Sequence, residues 1–433
     1  MLGLYAKAEG NDREAIALLD GTDGDAERHR ALARARNNLG VLLKKSNRFV
    51  EAAFRRALAG STSGRPEDRR EVARYLNNLG ILQARPDPDA AEKTFLEAMK
   101  LQDALQATSA TNAGFRWQRA RTWNNLANLS ARARLPEEAG PAFARARAGF
   151  EALAADFNAV PDYRRELAMT RNNQAQWLEA APSGDLRPLD LLRQAEADQA
   201  RPVEEFPEVP DHRMKLAITR LHLGDLLRAT DPAASGGALD RAIALQEKLV
   251  AETPQVPEYR AALGRTLTER ARSLAVEGKP ADSLAALTPA IESLEKAIEG
   301  DARDQTYVRF LFDARADRCR VLLKLARHAD LAAEAARLAK IAPGRPEAPL
   351  AAAGFLARAS EIAVADATLD EAARRREAEA DAVAAVAALR DALGRGATDL
   401  SFLDGPDFKP LKGRPDFEKL RADWQAKGRK AAG

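Results

Sequence analysis

The hydrophobic residues of this chain recur with the spacing of amphipathic helices, and the helices come in pairs. A clear first helix has apolar residues at relative positions 0, 3, 4 and 7, namely Val72, Tyr75, Leu76 and Leu79. A clear second helix has them at 0, 4, 7, 11 and 14, namely Ala139, Phe143, Ala146, Phe150 and Leu153. Each series lies on one face of an α-helix. Proline and glycine fall between the two members of a pair, so the pattern predicts helix hairpins.

The hairpins repeat along the chain with a nearly constant period. A marker position in the first helix recurs at Arg28, Asp68, Phe115, Tyr163, His212, Tyr259 and Tyr307. The spacings are 40, 47, 48, 49, 47 and 48 residues, a register that chance does not hold over seven copies. The sequence therefore predicts an array of about seven hairpins over residues 1–341, with C-terminal helices and a capping segment over residues 342–433.

One position in the middle of each first helix is always small. It holds Gly40, Gly80, Ala127, Ala175, Gly224 and Ala271. A small side chain lets the second helix approach closely, and one hairpin cannot bury both of its faces, so neighbouring hairpins must stack. Cys319 falls in the same position, and we expect it to be a packed core thiol rather than a nucleophile.

An asparagine pair precedes the small position in four copies. These pairs are Asn37-Asn38, Asn77-Asn78, Asn124-Asn125 and Asn172-Asn173. Together with the pattern A-x3-F-x2-A in the second helix, seen at Ala91, Phe95 and Ala98, they resemble the tetratricopeptide repeat (TPR). The period here is longer than the usual TPR period of about 34 residues. The repeats are most similar to the extended repeats of kinesin light chains, which share the asparagine pair. The resemblance covers roughly residues 1–341 and implies an all-α, TPR-like α-solenoid, a right-handed superhelix of antiparallel helix hairpins.

The resemblance also implies that the first helices line a concave groove that binds a protein or peptide. Counted from the first asparagine of each pair, positions −3, 0, +4, +7 and +8 share one helical side, which we call the first-helix face. The predicted peptide-binding residues on it are Arg34, Asn37, Lys44, Lys45, Arg74, Asn77, Arg85, Arg121, Asn124, Asn128, Arg132, Asn172 and Gln176. The amides can pair with a peptide backbone, and the cations favour acidic residues or a C-terminal carboxylate.

Two interpretations of the asparagines remain open. They recognise an extended peptide, or they bond to a neighbouring helix and fix the spacing of the repeats. Leu221 and Thr268 replace the first asparagine in the fifth and sixth copies. We therefore expect the groove to become less polar or to close in that part of the chain.

The C-terminal segment follows a different pattern. Two alanine-rich stretches, 348–365 and 370–393, predict helices, and the acidic residues of the second are expected to form a solvated face. A doubled Pro-Asp-Phe unit then predicts two short turns whose apolar residues pack on these helices, namely Phe408, Leu411, Phe417, Leu420 and Trp424. This ending and the repeats before it resemble the C-terminal TPR regions of planctomycete-type bacterial serine/threonine kinases. The resemblance implies an interaction role and supplies no catalytic residue, since no kinase motif occurs in the chain.

Composition narrows the choice of function. The chain has 67 Lys and Arg against 64 Asp and Glu, a formal charge of +3, which argues against a nucleic-acid footprint. No signal peptide and no apolar run of about 18 residues is visible, so we expect a cytoplasmic protein without membrane contact. Four scattered histidines offer no metal site, and we expect no cofactor and no enzymatic activity.

Three functions remain open. The first is a protein-interaction scaffold that binds a protein or peptide, with acidic peptides favoured, as the regulatory region of a signalling kinase. The second is the C-terminal, substrate-recruiting part of a larger serine/threonine kinase. The third is a nucleic-acid-binding solenoid, which the near-neutral charge disfavours.

Overall fold

The computed structural model describes residue 31 and residues 66–431, apart from 134, 183–185, 303, 343 and 398–400. The chain divides into two compact units, Met1–Thr219 and Arg220–Gly433, and each is described by itself. The predicted groove residues of the first repeat, Arg34, Asn37, Lys44 and Lys45, lie outside the described residues.

The described part of the chain is helical and contains no strand. The helices of the first unit are α1 (Pro66–Gln83), α2 (Pro88–Thr108), α3 (Ala113–Arg132), α4 (Pro136–Asp156), α5 (Pro161–Ala180) and α6 (Pro188–Glu205), and α7 (Pro210–Leu227) runs across the division between the units. The second unit continues with α8 (Pro232–Glu252), α9 (Pro257–Val276), α10 (Pro280–Gly300), α11 (Gln305–Lys324), α12 (His328–Leu338), α13 (Glu347–Ala365) and α14 (Glu371–Gly394). Two 3-10 helices, Ser401–Asp404 and Pro406–Leu411, and helix α15 (Pro415–Ala431) complete it.

Successive helices pack as hairpins, α1 with α2, α3 with α4 and α5 with α6 in the first unit, and α9 with α10 in the second. First helices also contact the first helix of the next repeat: α1 contacts α3, and α9 contacts α11. Each described unit is thus built as a TPR-like α-solenoid, and the predicted all-α fold is confirmed.

Local sequence features explain where the helices begin and how they pack. Proline opens α5 and α9 at the first turn, where no backbone donor is lost. A Cβ atom added at Gly80 would lie 2.6 Å from the ring of Phe95 on α2. One added at Gly224 would lie 2.4 Å from Leu239 on α8. The small position is therefore required for the close approach of the second helix.

The C-terminal segment packs on the end of the array as predicted. The five apolar residues predicted to pack there are buried, at 0–5% exposure, in one cluster with residues of α13 and α14. They are Phe408, Leu411, Phe417, Leu420 and Trp424. The prediction of two short turns is wrong for the second Pro-Asp-Phe unit, which begins α15 instead. Phe417, Leu420 and Trp424 fall at 0, 3 and 7, so they bury one helical face. The same cluster contains Leu338 and Ala348, and the domain boundary at residues 341 and 342 stays a prediction.

Helix α13 has no run of about 18 apolar residues, as expected, but it is long enough and on average apolar enough to cross a membrane. Among the described helices it reaches that length and composition, because its alanines offset its few charged residues. Half of it is buried in the protein, and it packs against α12 and α14. A buried core helix passes the same test, so the absence of membrane contact stays a prediction.

Candidate functional site

The asparagines of the first-helix face lie between successive first helices of the first unit. Asn77, 5% exposed, accepts hydrogen bonds at Oδ1 from Asn125 Nδ2 at 2.9 Å and from Thr122 Oγ1 at 3.2 Å, both on α3. Asn124 Oδ1 accepts one from Asn173 Nδ2 on α5 at 3.3 Å. We call these bonds, with those of Asn172 below, the amide ladder. It holds neighbouring first helices in register, and contact of the same side chains with a ligand stays a prediction.

A buried glutamine–threonine pair connects the ladder to the second helices. Gln102 Nε2 on α2 donates to Thr122 Oγ1 at 2.9 Å. Two repeats later, Thr219 Oγ1 donates to Gln199 Oε1 and accepts a bond from Asn172 Nδ2 at 2.7 Å. The glutamine precedes its threonine by 20 residues in both cases. Sequence reasoning missed these residues, although the fixed separation is visible in the sequence.

Two predicted groove arginines already have partners within the first unit. Arg74 Nη2 lies 2.5 Å from Glu71 Oε2 on the same helix. The Arg121 guanidinium lies over the ring of Trp117 at 4.6 Å, and its Nε is 3.9 Å from Glu166 Oε1. Cation–π and ion-pair contacts of this kind compensate the charge and restrict the side chain. These two arginines therefore offer less charge to a ligand than the sequence pattern implies.

Among the described residues, the accessible part of the predicted site consists of four others. Arg85, Arg132 and Gln176 are exposed and Asn128 is half-buried. Arg85 and Arg132 occupy the same +8 position, 47 residues apart, and have no ion-pair partner among the described residues. They lie near the C-terminal ends of α1 and α3, where a cation also complements the helix dipole. The first unit thus presents a positive charge at the same place in two successive repeats.

The first helices of the second unit carry charged residues where the first unit carries amides. Arg228, just after α7, bonds through Nη1 to Glu269 Oε2 on α9 at 2.5 Å. Arg272 Nη1 bonds the other oxygen of Glu269 at 2.6 Å, and its Nε reaches Asp317 Oδ2 on α11 at 2.5 Å. Burial raises the pKa of the Glu269 carboxyl, and the two arginines oppose that rise. We call these four residues the acid–arginine ladder.

The expectation that the face becomes less polar or closes in this region stays a prediction. Leu221 and Thr268 are buried at 3% and 4% exposure, but the positions beside them bear the acid–arginine ladder. Because its charges compensate each other, the ladder links successive first helices as the amide ladder does. Both ladders join successive first helices, the first through amide hydrogen bonds and the second through ion pairs.

Other candidate chemistry in the chain has structural explanations. Cys319 is fully buried, as predicted, and burial raises the pKa of its thiol to about 12, which suppresses the reactive thiolate. His212 faces Phe206 at 6.3 Å between ring centres, as Tyr163 faces Phe157 at 5.9 Å, so it takes the place of the repeat tyrosine. Within the described residues, no group of three or more His, Cys, Asp or Glu is placed to hold a metal ion.

Asp381 departs from the predicted solvated face of α14. Its Oδ2 atom is buried and has no hydrogen-bond partner among the described residues. Burial raises the pKa of its carboxyl to about 6. Glu371, at the start of the same helix, is exposed in an ion pair with Arg375, as expected.

Solved structures that resemble this chain include TTC0263, a thermophilic TPR protein of Thermus thermophilus, with 16% identity and a TM-score of 0.33 over 56% of this chain and 98% of that one. The S. pombe nuclear import adaptor Nro1 has 14% identity and a TM-score of 0.40 over 66% of this chain and 99% of its own. A human IFIT1 dimer with PPP-AAAA has 15% identity and a TM-score of 0.28 over 99% and 95%. The chain matches no protein-family model and no curated protein. The packing of this chain's own helices shows its fold.

Proposed function

We propose that this chain is a protein-interaction scaffold that binds an extended peptide or a partner protein on the first-helix face of the first unit. The observation that carries the proposal is the amide ladder. It fixes α1, α3 and α5 in register, so that polar side chains recur on a rigid surface at the period of the repeat. Groups held in place before binding lose less entropy when a ligand docks.

The charge of this surface favours an acidic ligand. Arg85 and Arg132 have no ion-pair partner among the described residues and are exposed, so their guanidinium groups are available for carboxylates. Asn128, half-buried on α3, offers a donor and an acceptor to a peptide backbone. The buried asparagines contribute by positioning the helices that carry these groups.

We further propose a role as the regulatory region of a signalling kinase, on the resemblance of the repeats and the C-terminal segment to planctomycete-type kinases. The alternative is that the chain is the substrate-recruiting C-terminal part of a larger serine/threonine kinase. The native reading frame distinguishes them. A kinase domain encoded directly upstream of Met1 supports the alternative, and a separate kinase gene supports the regulatory role.

The binding proposal is tested with a peptide selected on the purified chain from a random display library. Its Kd is measured by fluorescence anisotropy for the wild type and for Arg85→Glu/Arg132→Glu. The control is Lys93→Glu/Arg193→Glu, which makes the same charge change at exposed residues of the second helices α2 and α6. We expect at least tenfold weaker binding in the first variant and an unchanged Kd in the control.

Two results contradict the proposal. Equal weakening in both variants means that only the overall charge matters, and no change in either places the interface elsewhere. Salt-dependent binding of a single-stranded oligonucleotide, stronger than that of any selected peptide, would favour the nucleic-acid alternative instead.

A further inference from the structure

A cleft of about 450 Å³ opens in the second unit, between the end of α10, the beginning of α11 and the segment after α12. Its floor is apolar and is formed by Ile298, Val308, Leu311 and Ile341. A second cleft of about 330 Å³ adjoins it and shares Val308 and Ile341. Both volumes lie in the range of small-molecule sites, about 300–1,000 Å³.

Four cations and one carboxylate, Glu295, line the larger cleft. The cations that line it are Arg315, Arg337, Lys340 and Arg345. The first two are compensated, because Arg315 pairs with Glu295 and Glu334, and Arg337 pairs with Glu334. Lys340 and Arg345 are exposed and have no ion-pair partner among the described residues. Two uncompensated charges therefore border an apolar floor.

The backbone between these cations is fixed in an uncommon conformation. Ala342 has φ of 50°, in the left-handed region that disfavours residues other than glycine. Arg395 Nη1, at the end of α14, donates to the Arg345 carbonyl at 3.3 Å. Arg345 is thus tied to the end of α14, and the backbone of Ala342 is strained, as backbone at ligand sites commonly is.

We propose that this cleft binds a small apolar carboxylate, with its hydrocarbon part on the floor and its carboxylate paired with Lys340 and Arg345. Neither the first-helix face nor the amide ladder takes part in this site. A free acid fits better than a peptide, because Gln305 is the one uncharged polar side chain among the described residues that line the cleft. Peptide amides placed on the apolar floor would lack hydrogen-bond partners, which is costly when they are buried.

The test uses octanoate as the probe and isothermal titration calorimetry on the full chain at low ionic strength. Octanoate is expected to bind the wild type, and its Kd should rise at least tenfold in Lys340→Ala/Arg345→Ala. The control is Arg241→Ala/Lys248→Ala, which removes the same two charges from exposed residues of α8 and should leave the Kd unchanged. All four residues are exposed, so both variants should fold.

Two further ligands identify the recognised group. Octanol has the same number of carbon atoms without the charge and is expected to bind at least tenfold more weakly than octanoate. A short peptide that ends in leucine with a free carboxylate should also bind more weakly. The proposal is wrong if octanoate does not bind, if octanol binds equally well, if the peptide binds more tightly, or if the control variant loses as much affinity as the rim variant.

Discussion

Replacing Asn77 with alanine removes the acceptor of two hydrogen bonds in the amide ladder. Its Oδ1 atom accepts from Asn125 and Thr122 on the next first helix, and the side chain is 5% exposed. One hydrogen bond contributes about 1 kcal/mol to stability, so the loss of two should cost about 2 kcal/mol. The Thr122 hydroxyl keeps a second partner, the Gln118 carbonyl at 3.1 Å, which avoids the larger penalty of an orphaned buried donor.

Asn128→Ala is the matched control. Asn128 lies on the first-helix face of α3, is half-buried, and makes no hydrogen bond to a neighbouring repeat within the described residues. Both substitutions gain the same helix propensity, since each replaces asparagine with alanine inside a helix. The difference between the two variants therefore isolates the ladder, and we expect about 2 kcal/mol.

Native-state hydrogen exchange of the amides in α1 and α3 is the suitable assay, because repeat arrays unfold region by region rather than in one step. A double-mutant cycle of Asn77→Ala with Asn125→Ala should give a coupling free energy of about 1 kcal/mol. If Asn77→Ala and Asn128→Ala differ by less than about 0.5 kcal/mol, the ladder does not hold the helices together. The asparagines would then be better explained by ligand recognition.

Three further predictions concern packing, backbone and charge. Gly80→Ala places a Cβ atom 2.6 Å from the ring of Phe95 and should cost about 1–3 kcal/mol, measured as faster native-state hydrogen exchange of the α1 and α2 amides. Unchanged exchange would mean that the two helices can move apart at no cost. Ala326 follows α11 with φ of 54°, and Gly278 follows α9 with φ of 76°. In native-state hydrogen exchange of the preceding helix, Ala326→Gly should therefore stabilise α11 by about 1 kcal/mol, and Gly278→Ala should destabilise α9 by a similar amount. Burial raises the pKa of Asp381 to about 6, above its unfolded value of about 3.9. The wild type therefore loses stability as pH rises from about 4 to 6. Asp381→Asn should raise the free energy of unfolding by about 1 kcal/mol at pH 7.5, after solvent screening, and by almost nothing at pH 4. A gain in stability that does not depend on pH would contradict the raised pKa of Asp381.

The candidate site was predictable in position but not in its contacts. The repeat register placed Asn77, Asn124 and Asn172 on one side of the first helices, because a helix fixes which residues share a face. It could not decide that Asn77 Oδ1 points to Thr122 and Asn125. Those partners lie 45 and 48 residues away, and their approach depends on the distance between stacked hairpins.

The acid–arginine ladder shows the same limit for charged residues. Glu269 and Arg272 look like ordinary surface residues of a helix, and the loss of asparagine at position 268 suggested a less polar face. Only the packing of α9 between the end of α7 and α11 forms these contacts. It brings Arg228 to 2.5 Å from Glu269 and Asp317 to 2.5 Å from Arg272. Charge compensation across repeats cannot be seen in a local pattern.

The sequence by itself determined the helix hairpins, their period, the small position opposite residues such as Phe95, and the apolar anchors of the C-terminal segment. Those features follow from local rules, since helix periodicity and the need to bury one face act over a few residues. Tertiary structure alone decided which asparagine atoms join the helices, which arginines are already paired, and where the cleft beside Ile341 opens. These depend on the relative placement of helices far apart in sequence, because a hydrogen bond forms only when donor and acceptor come within about 2.7–3.2 Å of each other.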